Sequence, residues 1–195
     1  MHRDVHPLRA RLPGGRRAHR ISVARNPVCW VESVMSSWAV AAEPVDSPDA
    51  RGLRRDYYAE VAGRYWKRPA TSEEVDRGLA GDGAELLTAP TGHFVLGRYS
   101  GEPAACGGFL MLDDTHAELT RVYVRPGFRG RGGGHLLLAT LQDQARVLGA
   151  TEMVLNTRLD LIEARSLYRR EGYVEIPAYC HGPYMEVWYG KNLAG

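Results

Sequence analysis

No stretch of this sequence stays apolar for the roughly 18 residues that a membrane-spanning helix needs. Its start lacks the apolar core of a secretory signal and is too poor in serine for an organelle transit peptide. Cysteine is scarce: Cys29, Cys106 and Cys180 lie far apart, with no CxxC spacing. This argues against a disulfide framework or a zinc site, and suits a metal-free protein of the reducing cytoplasm. No internal repeat is visible. Basic charge is also missing from most of the chain. Residues 1–34 carry seven arginines against Asp4 and Glu32, a surplus of five positive charges. The whole chain carries +2, so residues 35–195 are left with three net negative charges, which does not suit a basic nucleic-acid module.

What is present is ordinary globular material. A hydrophobic content of 44% and a charged content of 25% over 195 residues suit one domain with a sizeable core. Residues 1–34 are rich in Arg, Pro, Gly and His without periodicity, and are expected to form a flexible extension ahead of a domain spanning 35–195.

Within that domain the pattern alternates between strand and helix signals. Residues 38–45 predict a strand. Ser47 and Pro48 supply an N-cap and a first helical residue. Leu53, Tyr57, Val61 and Tyr65 then recur every four positions on one helix face, and Pro69 ends the run. Thr71 and Glu74 form a capping box for a short helix ending at Leu79. Residues 94–99, 104–112 and 117–124 predict three strands joined by tight turns at 100–103 and 113–115, an antiparallel meander. A glycine-rich loop follows, then a helix over about 132–148 with Leu137, Leu141, Ala145 and Leu148 as its core stripe and Gly149 as its stop. Strands at 151–155, 173–176 and 185–189 and a helix at 163–170 complete the order. A parallel crossover in an otherwise antiparallel sheet predicts an α/β (α+β) domain.

The loop itself is the stretch Val124-Arg125-Pro126-Gly127-Phe128-Arg129-Gly130-Arg131-Gly132-Gly133-Gly134-His135. A helix start offers unpaired backbone N–H groups and the positive end of the helix dipole, which together favour a phosphate. The dinucleotide fingerprint needs glycine where His135 stands, and the P-loop needs a lysine after its last glycine, so neither fits. Two other readings stay open on the loop alone: a structural glycine turn with solvated arginines, and an Arg-Gly-Gly RNA-binding tract.

The spacing Arg129-x-x-Gly132-x-Gly134 resembles the coenzyme A pyrophosphate loop of the GNAT N-acetyltransferase superfamily. Residues 118–124 resemble that family's fourth strand. Asn156 and the series Ala164, Tyr168, Gly172 and Tyr173 resemble its fifth strand, the next helix and the entry to the sixth strand. The resemblance covers the element order from about residue 38 to 193 and implies a mixed, mostly antiparallel sheet with helices on both faces. It implies transfer of an acetyl group from acetyl-CoA to a primary amine of a small molecule or peptide by direct attack. The alternative is a non-catalytic acyl-CoA-binding regulator on the same fold.

Carried over residue by residue, the backbone of Val122, Tyr123 and Val124 would pair with the pantetheine arm in the manner of an added strand. Backbone N–H groups from Gly130 and Arg131 through Gly132, Gly133, Gly134 and His135 would hold the pyrophosphate, with Arg129 and Arg131 adding side-chain contacts. Asn156 would bind the arm, unless it is a turn asparagine bonded to its own backbone. Tyr168 would face the thioester sulfur and serve the leaving thiolate, unless it is a core aromatic. Glu118 would be the base, unless it is an exposed strand carboxylate. His93, His116 and His181 are weaker candidates for that role, and Cys106 and Cys180 read as buried thiols. The acceptor has two aromatic clusters to draw on, Tyr65-Trp66-Lys67-Arg68 and Tyr179, His181 and Tyr184. The implied partners are acetyl-CoA and an amine, with no nucleic acid or membrane; a homodimer is left open.

Overall fold

Ser47 accepts a hydrogen bond from Ala50 N (3.2 Å) and donates to Glu43 (2.8 Å), so the first helix starts where the Ser-Pro pair predicts. The computed structural model of the protein describes residues 37–194; the expected extension over 1–34 and Cys29 lie outside them. Ser47→Ala is expected to lower the unfolding free energy by about 1 kcal/mol, as for other N-cap losses, measured by urea denaturation.

The elements run β1 (Trp38–Ala42), α1 (Pro48–Trp66), α2 (Ser72–Leu79), β2 (Gly92–Tyr99), β3 (Glu102–Met111), β4 (His116–Val124), α3 (Gly133–Val147), β5 (Glu152–Thr157), α4 (Ile162–Arg170), β6 (Val174–Ile176) and β7 (Val187–Asn192). This is the predicted order. The capping box at Thr71 and Glu74 is formed in both directions, and α2 ends at Leu79.

The strands form one sheet in the order β1-β2-β3-β4-β5-β7-β6. All neighbours are antiparallel except β4 and β5. Alternate side chains of β2 go to opposite faces, as the two-residue strand period requires. Val95 joins Phe109, Leu119, Leu137, Leu138 and Leu141 under α3 and α4, while Phe94 and Leu96 join Ala50, Leu53 and Cys106 under α1. The sheet therefore carries helices on both faces. No helix among the described residues is long and apolar enough to cross a membrane.

The differences from expectation have local causes. Leu148 does not continue the stripe of α3: it follows the last helical residue, so the helical period no longer aims it inward, and it is 36% exposed. The buried face is instead Leu137, Leu138, Leu141, Gln142 and Ala145. The turn after β2 is only Ser100 and Gly101, both at positive φ, and Glu102 and Pro103 belong to β3. Pro103, which has no N–H to give a ladder, sits where the β2–β3 register shifts. β7 begins at Val187, two residues later than predicted, because Tyr184 sits in the left-handed region (φ 69°) and pairing with β5 starts at Thr157.

The parallel pair β4–β5 sets up the site. Pairing runs from His116 with Glu152 to Glu118 with Val154 and ends there. Both strands continue without pairing to each other, β4 to Val124 and β5 to Thr157. The sheet thus opens in its middle, leaving strand edges unpaired along the gap.

Candidate active site

Along that gap lies a cleft of about 1000 Å³. Its wall includes Glu118, Val122, Tyr123 and Val124 of β4, Arg129, Gly130, Gly132, Gly133, Gly134 and His135 of the loop and helix head, Asn156 of β5 and Tyr168 of α4. Residues far apart in the chain meet here because β4 delivers the loop to one end of the gap and α4 packs beside the head of α3 on the same face of the sheet.

The head of α3 carries no side-chain cap. Its N-cap is Gly132, at φ 83°, and helical hydrogen bonding begins with Leu136 N to Gly132 O (3.2 Å). The amides of Gly133, Gly134 and His135 precede that bond, in the position where a helix offers donors to an anion. The loop glycines divide by role. Gly130 and Gly132 have positive φ and open space where a Cβ would stand. Gly133 and Gly134 face the protein body: a Cβ on Gly133 would lie 2.2 Å from the Trp38 ring, and one on Gly134 2.9 Å from Leu167. Half of the glycine signal therefore reflects packing of the helix head onto β1 and α4.

Trp38 holds the loop from beneath, its indole N–H donating to Arg131 O (2.8 Å). The Arg131 guanidinium lies over Tyr99 (5.1 Å) and Phe128 (6.0 Å), and the residue is not part of the cleft wall. The side-chain contact expected of Arg131 thus has a competing aromatic seat. Arg129 does reach the cleft, but its guanidinium is held by Glu60 (2.7 Å) and by Val124 O (2.8 Å). Glu60 also binds Arg64 (2.9 Å), which pairs with Glu163 of α4 (2.8 Å), so an ionic chain crosses the gap from loop to α1 to α4. The His135 ring turns to Glu171 (2.9 Å), leaving its backbone amide as the group at the helix head.

Tyr168 is 7% exposed, and its hydroxyl has no hydrogen-bond partner among the described residues. Burial, then the nearby phenols of Tyr57 and Tyr173, hold its pKa well above the ordinary tyrosine value. It is a protonated donor on the wall of the cleft. Glu118 sits where the two strands part. Its Oε1 accepts from Tyr179 OH (2.6 Å) and Asn156 Nδ2 (3.0 Å), and Oε2 has no partner among the described residues. The same bond answers the question about Asn156: its side chain reaches across the gap to Glu118 rather than to its own backbone. Tyr179 is raised in turn, by burial first and then by its bond to Glu118. The other candidate bases lie off the cleft wall: His116 is bound to Asp113 (2.9 Å), His93 stacks on Phe109, and His181 meets Trp188 edge to face. Cys106 is fully buried, and burial pushes its thiol up to about 12.

A sequence model of the acetyltransferase (GNAT) family matches residues 53–173. The chain belongs to that family. Among curated relatives it is similar to an IAA acetyltransferase of Azospirillum brasilense, 30% identical over 101 residues, 51% of this chain and 65% of that protein. Across the curated relatives it matches, the chain spans between 44% and 65% of their length. Among solved structures it is similar to the PaiA N-acetyltransferase from Thermoplasma acidophilum in complex with coenzyme A. The TM-score is 0.62 at 12% identity, covering 80% of this chain and 99% of that one. It is also similar to a GNAT family acetyltransferase from Elizabethkingia anophelis with acetyl-CoA bound, with a TM-score of 0.54 at 16% identity, covering 80% and 97%. At these identities the likeness concerns the fold, which is that of the GNAT acyl-CoA N-acyltransferases.

Two features of this GNAT chain had no signal in the sequence. The first is a bulge in β4: Cys106 pairs with Tyr123 and Gly108 with Thr120, so Gly107 of β3 faces both Arg121 and Val122. Arg121 takes φ 53° there, a left-handed conformation costly for a residue with a side chain. The second is a neighbouring cavity of about 610 Å³ that shares Tyr57, Thr120, Arg121, Asn156 and Thr157 with the cleft. The face marked by Leu53, Tyr57, Val61 and Tyr65 is only partly core: Leu53 is fully buried, while Tyr57, Val61 and Tyr65 line this cavity.

Proposed function

We propose that this chain transfers an acetyl group from acetyl-CoA to an amine, within the cleft between β4 and β5. The observation that carries the reading is the uncapped head of α3 opening onto a cleft whose wall also holds Tyr168, a buried residue whose hydroxyl has no hydrogen-bond partner among the described residues. The site fits the cosubstrate in three respects: amides for a pyrophosphate, an unpaired β4 edge for an amide-bearing arm, and room for both. Several charge-assisted bonds of about 1.5–3 kcal/mol each are enough for micromolar binding.

The thioester supplies an activated acetyl carbonyl. The chain's own groups do the rest. The amides of Gly133, Gly134 and His135 fix the diphosphate, and the edge of Val122, Tyr123 and Val124 aligns the arm. The Val122 amide, beside the bulge, would donate to the carbonyl oxygen as negative charge develops on it. Tyr168 would donate its hydroxyl proton in a hydrogen bond to the departing sulfur. A reference thiol near 8.5 and a tyrosine near 10 already make full proton transfer uphill by roughly 2 kcal/mol. Burial raises Tyr168 further, so hydrogen bonding is its main contribution. Glu118, held by Asn156 and Tyr179, would take a proton from the acceptor, directly or through water. The depth and raised pKa of Cys106 speak against that thiol as an acyl carrier, whereas Cys180, expected to be buried, is only half-buried, 4.0 Å from Asn156 Nδ2.

The experiment is thiol release from acetyl-CoA across a broad panel of amines. No release from any of them, with coenzyme binding intact, would favour the non-catalytic regulator. Glu118→Gln is expected to lower kcat by about 100-fold or more with the KM for acetyl-CoA unchanged, because the base serves the acceptor. An equal loss at every pH and with every amine, accompanied by weaker coenzyme binding, would instead make Glu118 a support for Asn156.

A further inference from the structure

Beside the cleft, a buried cluster of Arg54, Arg121 and Asp82 carries one more positive charge than its carboxylate neutralises. Arg54 pairs with Asp82 at 2.7 Å, and Arg121 lies 3.4 Å from the same carboxylate and also donates to Asp82 O. These side chains are almost wholly buried, at 10%, 9% and 4% exposure for Arg54, Arg121 and Asp82. Two guanidinium groups thus surround one carboxylate, and Nε of both Arg54 and Arg121 is buried without a hydrogen bond among the described residues. Both guanidiniums share Asp82, Arg121 through Nε at 3.4 Å, so one positive charge of the cluster has no carboxylate of its own, and a buried charge in that state is costly.

Arg121 belongs to the walls of both the cleft and the smaller cavity, and the bulge in β4 is what directs it there. Of the other charges at that cavity, two are paired and one is not. Glu74 is paired with Arg68 (2.6 Å) and Arg158 with Asp160 (2.7 Å), while Arg77 at the exposed rim has no ion-pair partner among the described residues. The remaining wall is largely aromatic. Tyr65 and Tyr184 meet edge to face at 4.7 Å, and Trp66, Tyr57 and Tyr58 stand alongside.

We propose that this cavity is the acceptor subsite, and that it selects amines that also carry a carboxylate on an apolar or aromatic body, with Arg121 taking the carboxylate. A single carboxylate neutralises the surplus of one positive charge in the buried cluster. A ligand lying against Tyr65 and Tyr184 reaches the cleft through the shared wall at Thr120, Asn156 and Thr157, which brings its amine toward Glu118 and the acetyl carbonyl. The inference rests on the transferase reading above for its chemistry, but not for its binding.

The test uses matched acceptors on the wild-type chain: L-phenylalanine against phenethylamine, L-tryptophan against tryptamine, and L-leucine against isopentylamine. The carboxylate member of each pair is expected to show a kcat/KM at least about tenfold higher, the range of one charge-assisted contact. 3-Phenylpropionate, which has the ring and carboxylate but no amine, should compete with the acceptor and raise the melting temperature. Arg121→Gln should erase the preference within each pair while acetyl-CoA binding persists. If that variant does not fold, the wild-type pairs and the inhibitor decide alone. Equal or better use of the decarboxylated amines would overturn the subsite and leave the transferase reading standing. No thiol release from any amine, with 3-phenylpropionate still raising the melting temperature, would support the subsite and sink the transferase reading. The absence of both turnover and a thermal shift would overturn the subsite.

Discussion

Gly133→Ala is expected to weaken acetyl-CoA binding by about two orders of magnitude, as read by isothermal titration. The added methyl would stand 2.2–2.6 Å from three atoms of the Trp38 ring. Trp38 cannot turn away freely, because its indole N–H is bonded to Arg131 O at 2.8 Å and its ring packs edge-on against Tyr99 at 5.4 Å. The strain is relieved by lifting the head of α3 off β1, which moves the amides of Gly133, Gly134 and His135 together. Losing the alignment of even one or two charge-assisted bonds accounts for the drop in affinity, and the overpacking itself costs about 1–3 kcal/mol of stability. The double variant with Trp38→Leu opens the space and should recover part of both losses, a coupling that separate effects would not produce. A Gly133→Ala chain that binds coenzyme within threefold of wild type would remove the packing account of this glycine.

Tyr168→Phe is expected to lower kcat by about 100-fold or more, within the usual range for a lost acid–base or hydrogen-bonding group. The KM for acetyl-CoA and the melting temperature should be nearly unchanged. The hydroxyl has no partner among the described residues, so its removal breaks no bond that supports the fold. The raised pKa also fixes a sign. The protonated form is the useful one, and it persists above the ordinary tyrosine value of about 10, so kcat should not fall on the alkaline side through ionisation of Tyr168 below that pH. Full turnover by the phenylalanine variant would return Tyr168 to the status of a core aromatic, and an alkaline limb near pH 8 that disappears in that variant would contradict its raised pKa.

How far the sequence could be read follows from the range of the forces involved. The N-cap at Ser47, the capping box at Thr71 and Glu74, the strand–loop–helix passage around Gly132 and the stop at Gly149 all depend on neighbours a few positions away. Such features are legible because the residue types that satisfy them are few. The reading weakened wherever a distant segment decided the outcome. Pro103 reads as a turn residue until a register shift in the β2–β3 ladder makes room for it. Leu148 reads as core until the helix stops one residue short of it. Nothing in the sequence marks that the Arg131 guanidinium seats over Tyr99 and Phe128.

The residues of the primary structure determine, by themselves, the order of strands and helices, the membership of the chain in its family and the glycine-rich helix head. Local hydrogen-bonding rules and the two periodicities of burial suffice for that. Only the folded chain decides where β4 and β5 part, after Glu118 and Val154, that Arg121 is thrown into a bulge beside Asp82, and that Asn156 reaches Glu118. Strand register and the pairing of buried charges are settled between segments distant in sequence, and no local pattern encodes the partner.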